Sequence, residues 1–413
     1  MDYLPRLVDP LLDRLASQLP ALSITGPRAT GKTTTATRLA ASIVRLDREA
    51  EAAAFRADPD AALRGMAEPV LLDEWQVVPG VLGAVKRAVD ADPRPGRFIV
   101  TGSARSDLDG ETWPGTGRLT RVAMTGMTVR EQLRRLPGTP FLDRVAAGAI
   151  PQPAATSPDL RGYLELALCS GFPEAALALG EEARHHWLES YVDHLVTRDA
   201  AQVESGRDPA RLRRYLEAYA LNTAGVVEEQ TLLGAAGINR RTAQAYERLL
   251  GSLLVVESLP AWASNRLKRL VLTPKRHLVD PALVVGVLRL DVGHVLRDGD
   301  LMGRLLESFV VAQLRAELPV AQTRPRLFHL RQHQGRIEVD VVADLAGGGI
   351  VGIEVKATAA PGPSDARHLA TLRDAEPERF VAGIVLHTGP RSFPLGERLW
   401  AAPISSLWGP DTA

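Results

Sequence analysis

Lys32 and Thr33 close the run Gly26-Pro27-Arg28-Ala29-Thr30-Gly31-Lys32-Thr33, which fits the spacing G-x-x-x-x-G-K-[ST]. The chemistry such a run can do is phosphate binding. Glycines at both ends let the backbone turn its N–H groups inward around a polyphosphate, the Lys32 ammonium reaches the β- and γ-phosphates, and Thr33 can ligate Mg²⁺. Thr34 extends the row of hydroxyls into the segment that follows. A second set ends the apolar run Val70-Leu71-Leu72 with Asp73 and Glu74. There Asp73 would hold Mg²⁺, directly or through water, and Glu74 would orient and deprotonate an attacking water. A third, Arg97 to Ser103, puts Thr101 and Ser103 at the polar end of an apolar stretch, where either can sense a γ-phosphate. Together these residues point to ATP or GTP with Mg²⁺. Arg105, Arg118 and Arg121 are candidates for neutralising charge in a transition state, and the sequence does not choose among them.

These groups need a scaffold that brings them to one edge. The apolar run Ala21 to Ile24 reads as a strand before the Gly-rich loop, and Thr34 to Ile43 reads as the helix after it, which is the context the motif requires. From Ala21 to about Arg121 short apolar runs alternate with helical stretches, so we expect a parallel sheet covered by helices, with Asp73 and Glu74 at the carboxyl edge where ligands of open α/β sheets bind. Pro and Gly crowd Leu136 to Pro158, which reads as a linker. Helical patterns follow at Glu182 to Val196, Pro209 to Leu221 and Glu228 to Leu253, then strand-like runs at Leu254 to Leu259 and Leu270 to Leu272. Helix, turn, helix and hairpin make a winged helix, with Asn239 as a cap and Arg240 and Arg241 at the start of the helix that would meet phosphates or base edges. A last region pairs the helix Leu301 to Leu318 with strands Arg336 to Leu345, Ile350 to Thr358 and Phe380 to Leu386, a small α/β domain.

In that region Asp340 sits in Ile337-Glu338-Val339-Asp340-Val341, and Glu354 and Lys356 sit in Ile353-Glu354-Val355-Lys356. If Gly347 marks the centre of the connection, an antiparallel register places Asp340 opposite Glu354 and Glu338 opposite Lys356, at Cα separations of roughly 4.5 to 5.5 Å. Two carboxylates and a lysine then converge.

The composition sets the frame for these sites. At 413 residues, with 45% hydrophobic and 24% charged residues and a formal net charge of zero, the chain is expected to form two or three globular domains. Any nucleic-acid contact must be a local basic patch. No run approaches the ~18 apolar residues of a membrane helix, so no membrane partner is expected and a cytoplasmic location is. The single cysteine, Cys169, leaves no intrachain disulfide and reads as a core residue.

GPRATGKTT, LLDEWQ with Gln76, FIVTGSA, Gly117-Arg118 and Thr128 to Gln132, then Ser170 to Glu174, Thr197-Arg198-Asp199, Thr273-Pro274-Lys275 with Asp280, and Gly303 to Val310 with Glu307, resemble in order the prokaryotic AAA-type ATPases that carry a C-terminal domain of unknown function. The resemblance spans almost the whole chain. It implies ATP rather than GTP, an ATPase core, a helical or winged-helix segment and a restriction-endonuclease-like end. Asp340, Glu354 and Lys356 resemble the D…E-x-K core of such nucleases, with Val339 where a proline usually stands. That likeness implies acids that bind Mg²⁺, a lysine that positions hydroxide, and Glu307 as an additional ligand.

The resulting expectation is an α/β chain. A P-loop AAA-type parallel-sheet domain spans 1–135, a helical and winged-helix domain 136–295, and a small restriction-endonuclease-like α/β domain 296–413. It would bind ATP and Mg²⁺ and couple hydrolysis to the later domains, acting on DNA. Lys32, Glu74, Asp340, Glu354 and Lys356 would be catalytic, Thr33, Asp73, Asp340 and Glu354 would bind metal, and residues 26 to 34 with Asp73 and Ser103 would hold the nucleotide. The alternative is a nucleotide-gated scaffold with an inactive nuclease-like end. Homo-oligomerisation is compatible with both.

Overall fold

A computed structural model describes residues 3–102, 117–203, 208–226, 229–269, 272–332 and 335–410. The chain forms two compact units, Met1–Gly126 with Leu249–Val255, and Met127–Arg248 with Val256–Ala413.

The first unit is built on a five-stranded sheet of β1 (Ala21–Thr25), β2 (Ser42–Arg45), β3 (Val70–Asp73), β4 (Phe98–Gly102) and β5 (Thr120–Ala123), in the order β2-β3-β4-β1-β5. Every pairing is parallel. A parallel strand covered on both faces has no solvent side to pattern, so β3 and β4 are buried at every residue and read as unbroken apolar runs. The helix Val81–Ala91 presents Val81, Leu82, Val85 and Val89 at helical spacing to a core that includes Phe55, Leu72, Trp75 and Phe98. Each such side chain removed from water stabilises the unit by about 1.5 to 3 kcal/mol. Because all strands run one way, the chain leaves β1, β3 and β4 at the same edge, and the polar residues at their ends are gathered there.

The expected helix Thr34 to Ile43 is shorter. It spans Lys32–Thr37, and Ile43 lies in β2, paired with Leu71 of β3. The β-branched threonines at 33, 34, 35 and 37 are weak helix formers, and the residues from Ser42 onward gain a ladder instead. The Pro- and Gly-rich stretch read as a linker holds a helix, Phe141–Ala146, with Phe141 fully buried and Arg144 donating to the Ser406 carbonyl at 2.7 Å.

Along the chain, helices Glu229–Ala236 and Arg240–Ser252 are followed by β6 (Val256–Leu259) and β7 (Lys275–Leu278), an antiparallel pair in the second unit. Leu270 and Val271, expected in the second strand of that hairpin, lie outside the described residues; the observed strand begins at Lys275. A six-stranded sheet follows, made of β8 (Arg326–Gln332), β9 (Ile337–Asp344), β10 (Ile350–Lys356), β11 (Phe380–His387), β12 (Phe393–Gly396) and β13 (Leu399–Pro403), in the order β12-β13-β11-β10-β9-β8. It is mixed: β8, β9 and β10 are antiparallel, and β10, β11 and β13 parallel. Gly352 lets the helix Arg367–Ala375 come close, since a Cβ there would stand 2.7 Å from Leu369 Cδ2. The helix Gly299–Glu317 is capped by Asp298, which accepts from the Leu301 N–H at 3.1 Å, and is buried along most of its length.

Glu317, near the end of that helix, is 7% exposed and accepts from the Phe141 N–H at 2.7 Å. Burial pushes its carboxyl up to about 7, against the pull of Arg130 and of that hydrogen bond. A carboxyl raised in the folded state contributes stability that is complete below its unfolded value and lost as pH rises through the folded one. Between pH 4.5 and about 7 this group should therefore weaken the fold, by on the order of 3 kcal/mol. Urea unfolding across that window should show the decline, and Glu317→Gln, which keeps the acceptor and removes the charge, should flatten it; an unchanged slope would show that Glu317 is already ionised throughout.

Candidate nucleotide site and carboxylate–lysine cluster

The loop after β1 turns under tight backbone constraints. At Gly26 a Cβ would sit 1.8 Å from the Met124 carbonyl oxygen, so only glycine lets the chain pass. Ala29 and Gly31 have φ of 61° and 89°, left-handed values that fold the loop back on itself. Thr30, fully buried, donates to the Pro27 carbonyl at 2.9 Å. Arg6 holds the loop from outside, donating to the carbonyls of Thr30 at 2.7 Å and Thr125 at 2.9 Å. Nothing local in the sequence marks Arg6, because its partners are backbone atoms 24 and 119 residues away.

Lys32 opens the short helix Lys32–Thr37, is 5% exposed, and donates to the Pro27 carbonyl at 2.6 Å. Burial lowers its ammonium to about 8, although Glu74 and Asp73 pull it upward. Thr33 Oγ1 donates to Asp73 Oδ1 at 2.8 Å, and the Thr101 hydroxyl donates to the same oxygen. Thus the ends of β3 and β4 and the start of the helix meet at one carboxylate. Glu74 follows directly, with a left-handed backbone (φ 54°) that turns it out of the strand line, and the Gln76 amide donates to its carboxylate. Pro27 is buried, Arg28 half-buried, and Ala29 and Thr34 exposed. Ser103 and Arg105 lie outside the described residues. Arg118 pairs with Asp90 at 2.7 Å, and Arg121 is exposed on β5.

At the other end of the chain, β9 and β10 pair Ile350 with Asp344 and Ile353 with Val341. Continued by one step, that register sets Asp340 against Glu354, as expected from the sequence. The ladder itself stops there, because the Val355 N–H donates to the Asp340 carboxylate at 2.9 Å. Lys356 turns to Glu354, 3.0 Å away. The cation at the centre is a different one. Lys275, 1% exposed on β7, lies 2.9 Å from Glu307, 3.1 Å from Glu338 and 3.1 Å from Asp340. The expected partner of Lys356, Glu338, is thus engaged by Lys275. Among the described residues no three His, Cys, Asp or Glu side chains are left open for a metal ion; the acids that converge here have an ammonium between them.

Burial opposes the charge on Lys275, but Glu307, Asp340 and Glu338 outweigh it and hold the ammonium well above its usual value. Burial pushes Glu307 and Glu354 strongly upward, with the Asp340 charge adding to it. For Asp340 burial acts the same way, yet Lys275, the Val355 N–H and Lys356 prevail and keep it low. The two facing carboxyls are thus pushed in opposite directions, Asp340 down and Glu354 up. Elsewhere, Asn239 caps its helix by accepting from the Thr242 N–H at 2.9 Å, with Arg240 and Arg241 exposed beside it. Arg331, on β8, donates to the Val226 carbonyl at 3.2 Å and lies 3.9 Å from Glu338. No helix among the described residues is long and apolar enough to cross a membrane.

The strand–loop–helix with these end groups defines a P-loop nucleoside-triphosphatase fold. Residues 18–133 match the family described as AAA domain, residues 302–407 match Domain of unknown function (DUF4143), and residues 160–293 match Domain of unknown function (DUF8612). The chain carries an AAA-type P-loop domain and a C-terminal DUF4143 domain. It is 28% identical over 400 residues to the uncharacterized proteins Rv2008c of Mycobacterium tuberculosis and Mb2031c of Mycobacterium bovis, covering 96% of this chain and 82% of each relative. Among solved structures, the Walker-type ATPase PABY2304 of Pyrococcus abyssi is 14% identical with a TM-score of 0.43, over 70% of this chain and 97% of its own. The Aeropyrum pernix ORC1 protein in complex with DNA is 13% identical with a TM-score of 0.29, over 72% and 96%.

With its ammonium lowered to about 8, Lys32 is partly neutral near and above that pH, and there it should gain a proton when phosphates arrive, because an anion in contact favours the charged form. Nucleotide affinity is expected to fall as pH rises through about 8, with proton uptake on binding measurable by calorimetry in buffers of different ionisation enthalpy. Lys32→Arg, charged at every accessible pH, should remove the uptake; uptake that persists in that variant belongs to another group.

Proposed function

We propose that the protein is an ATP hydrolase whose reaction centre lies at the ends of β1, β3 and β4. The observation that carries the reading is the meeting of Thr33 and Thr101 on the Asp73 carboxylate beside the buried Lys32. In this reading the loop from Gly26 to Thr34 cradles the phosphates, Lys32 neutralises the β- and γ-oxygens, and Thr33 and Asp73 hold Mg²⁺. The ion supplies charge neutralisation of the transferred phosphoryl group. Glu74 takes the proton of the attacking water, and its tie to Gln76 fixes which way its carboxylate faces. In the same reading Thr101 or Ser103 senses the γ-phosphate.

The same proposal joins this centre, in a domain of about 1–135, to a winged helix within 136–295 and a restriction-endonuclease-like domain at 296–413. DNA is the proposed partner, met through Arg240 and Arg241 at a helix start, and assembly into a homo-oligomer belongs to the same reading. One observation favours a second reading for the C-terminal domain, in which Asp340, Glu354 and Lys356 do no chemistry and nucleotide binding organises an interaction surface: Lys275 stands among the acids.

ATP turnover measured with and without single- and double-stranded DNA, with strand cleavage read from the same reactions, separates the two. Lys32→Ala should abolish turnover, and unchanged hydrolysis in it overturns the assignment. Glu74→Gln should keep ATP bound and slow hydrolysis by on the order of 10² or more, since the amide keeps the shape but takes no proton. Lost affinity with a normal rate per bound ATP would make Glu74 a binding residue instead.

A further inference from the structure

We propose that the cavity lined by Arg269, Arg315, Arg324 and Arg326 is a binding site for a small organic phosphate monoester, whose dianionic head is held by Arg324 and Arg326. The cavity lies wholly within the second compact unit, and the proposal is independent of the ATPase reading.

The cavity measures about 1020 Å³, at the upper end of the range that small-molecule sites occupy. Besides the four arginines, its wall carries two acids, Glu257 and Asp344. Both acids are already engaged. Glu257 accepts from Arg315 Nη1, and Asp344 accepts from Arg269 at 2.8 Å and from Arg379 at 3.1 Å. Arg269 is fixed further by lying over the rings of Trp262 and Phe328, 5.3 and 4.8 Å from their centroids. Two positive charges are left over. Arg324 and Arg326 are exposed, and among the described residues neither side chain has a hydrogen-bond or ion-pair partner. Arg326 is the register partner of Asp344 across β8 and β9, so it stands on the same face as a carboxylate that two other arginines have taken. Burial pulls the Arg315 guanidinium below its usual value even with Glu257 beside it, so this wall gains from an added anion.

The turn bearing Arg324 is held in place before any ligand arrives. Asp143 accepts from the N–H groups of Gln322 and Thr323 at 2.8 and 3.0 Å, and the Ala346 N–H donates to the Thr323 carbonyl at 3.0 Å. Arg324 follows with φ of 44°, a left-handed value that a residue with a side chain rarely adopts and that persists only where the surroundings enforce it. Two guanidinium groups without counter-charges call for two negative charges on one ligand. A phosphate monoester carries nearly that at neutral pH, whereas a phosphodiester carries one. Leu318, Leu327 and Phe328 share the wall, which suits an organic body behind the phosphate. Asp344 stands four residues along β9 from Asp340, roughly 13 Å at the rise of an extended strand, and none of the acids around Lys275 lines the cavity. The two sites are separate.

The test uses the full chain carrying Lys32→Ala as the parent, so that phosphate at the loop after β1 is not counted, with phenyl phosphate as the probe and calorimetry as the readout. One molecule should bind per chain, and methyl phenyl phosphate, the singly charged ester, should bind about ten-fold or more weakly. Arg324→Ala combined with Arg326→Ala changes two exposed side chains and should weaken phenyl phosphate by about the same factor. Equal affinity for the two esters, unchanged affinity in the double variant, or no saturable binding at millimolar probe overturns the proposal. So does a DNA duplex with hydroxyl ends that displaces phenyl phosphate from the parent, because the arginines would then meet the phosphodiesters of a nucleic acid and not a small ligand.

Discussion

An ammonium removed from water must be met by negative charge, and the two buried lysines of this protein meet that constraint in opposite ways. Lys32 has carboxylates nearby but only a backbone carbonyl in contact, so burial prevails and its ammonium is lowered to about 8. Lys275 has three carboxylates in contact, and there charge prevails over burial. The first lysine is short of anions, which is the state of a group suited to receiving phosphate. The second is held in place by the acids around it. Chemically identical side chains acquire different roles through the balance of desolvation against contact charge.

Each arrangement follows from the sheet that bears it. In the parallel sheet every strand ends at the same edge, so Asp73, Thr101 and the loop after β1 are neighbours in space however far apart in sequence. In the mixed sheet the hairpin β9–β10 runs back on itself, and its register alone sets Asp340 against Glu354. The paired register ends at Ile353, and beyond it the Val355 N–H is given to the Asp340 carboxylate and not to the ladder.

Much of the nucleotide site was legible because its parts are contiguous. Gly26 to Thr33 is one loop, and Val70 to Glu74 is one strand and its end. The register of β9 and β10 was legible too, since alternation and a central glycine leave few ways to align two strands. The helix after the loop was overread as reaching Ile43, because apolar residues near its end match both a helix face and a short parallel strand. Arg6 and Lys275 were not legible as site residues. One acts on backbone carbonyls, which have no sequence identity, and the other lies 32 residues from Glu307 and 65 from Asp340. A lysine in a four-residue strand carries no sign of what it will be folded against.

Opposite shifts within the cluster explain why a lysine can hold such a position at all. Burial, with the Asp340 charge adding to it, pushes Glu307 and Glu354 well upward, while Lys275, the Val355 N–H and Lys356 hold Asp340 low. Raising two of the acids eases the repulsion among carboxylates packed around one ammonium, and lowering the third keeps an anion in contact with it. The ammonium is therefore held by the whole arrangement of charges and not by one salt bridge.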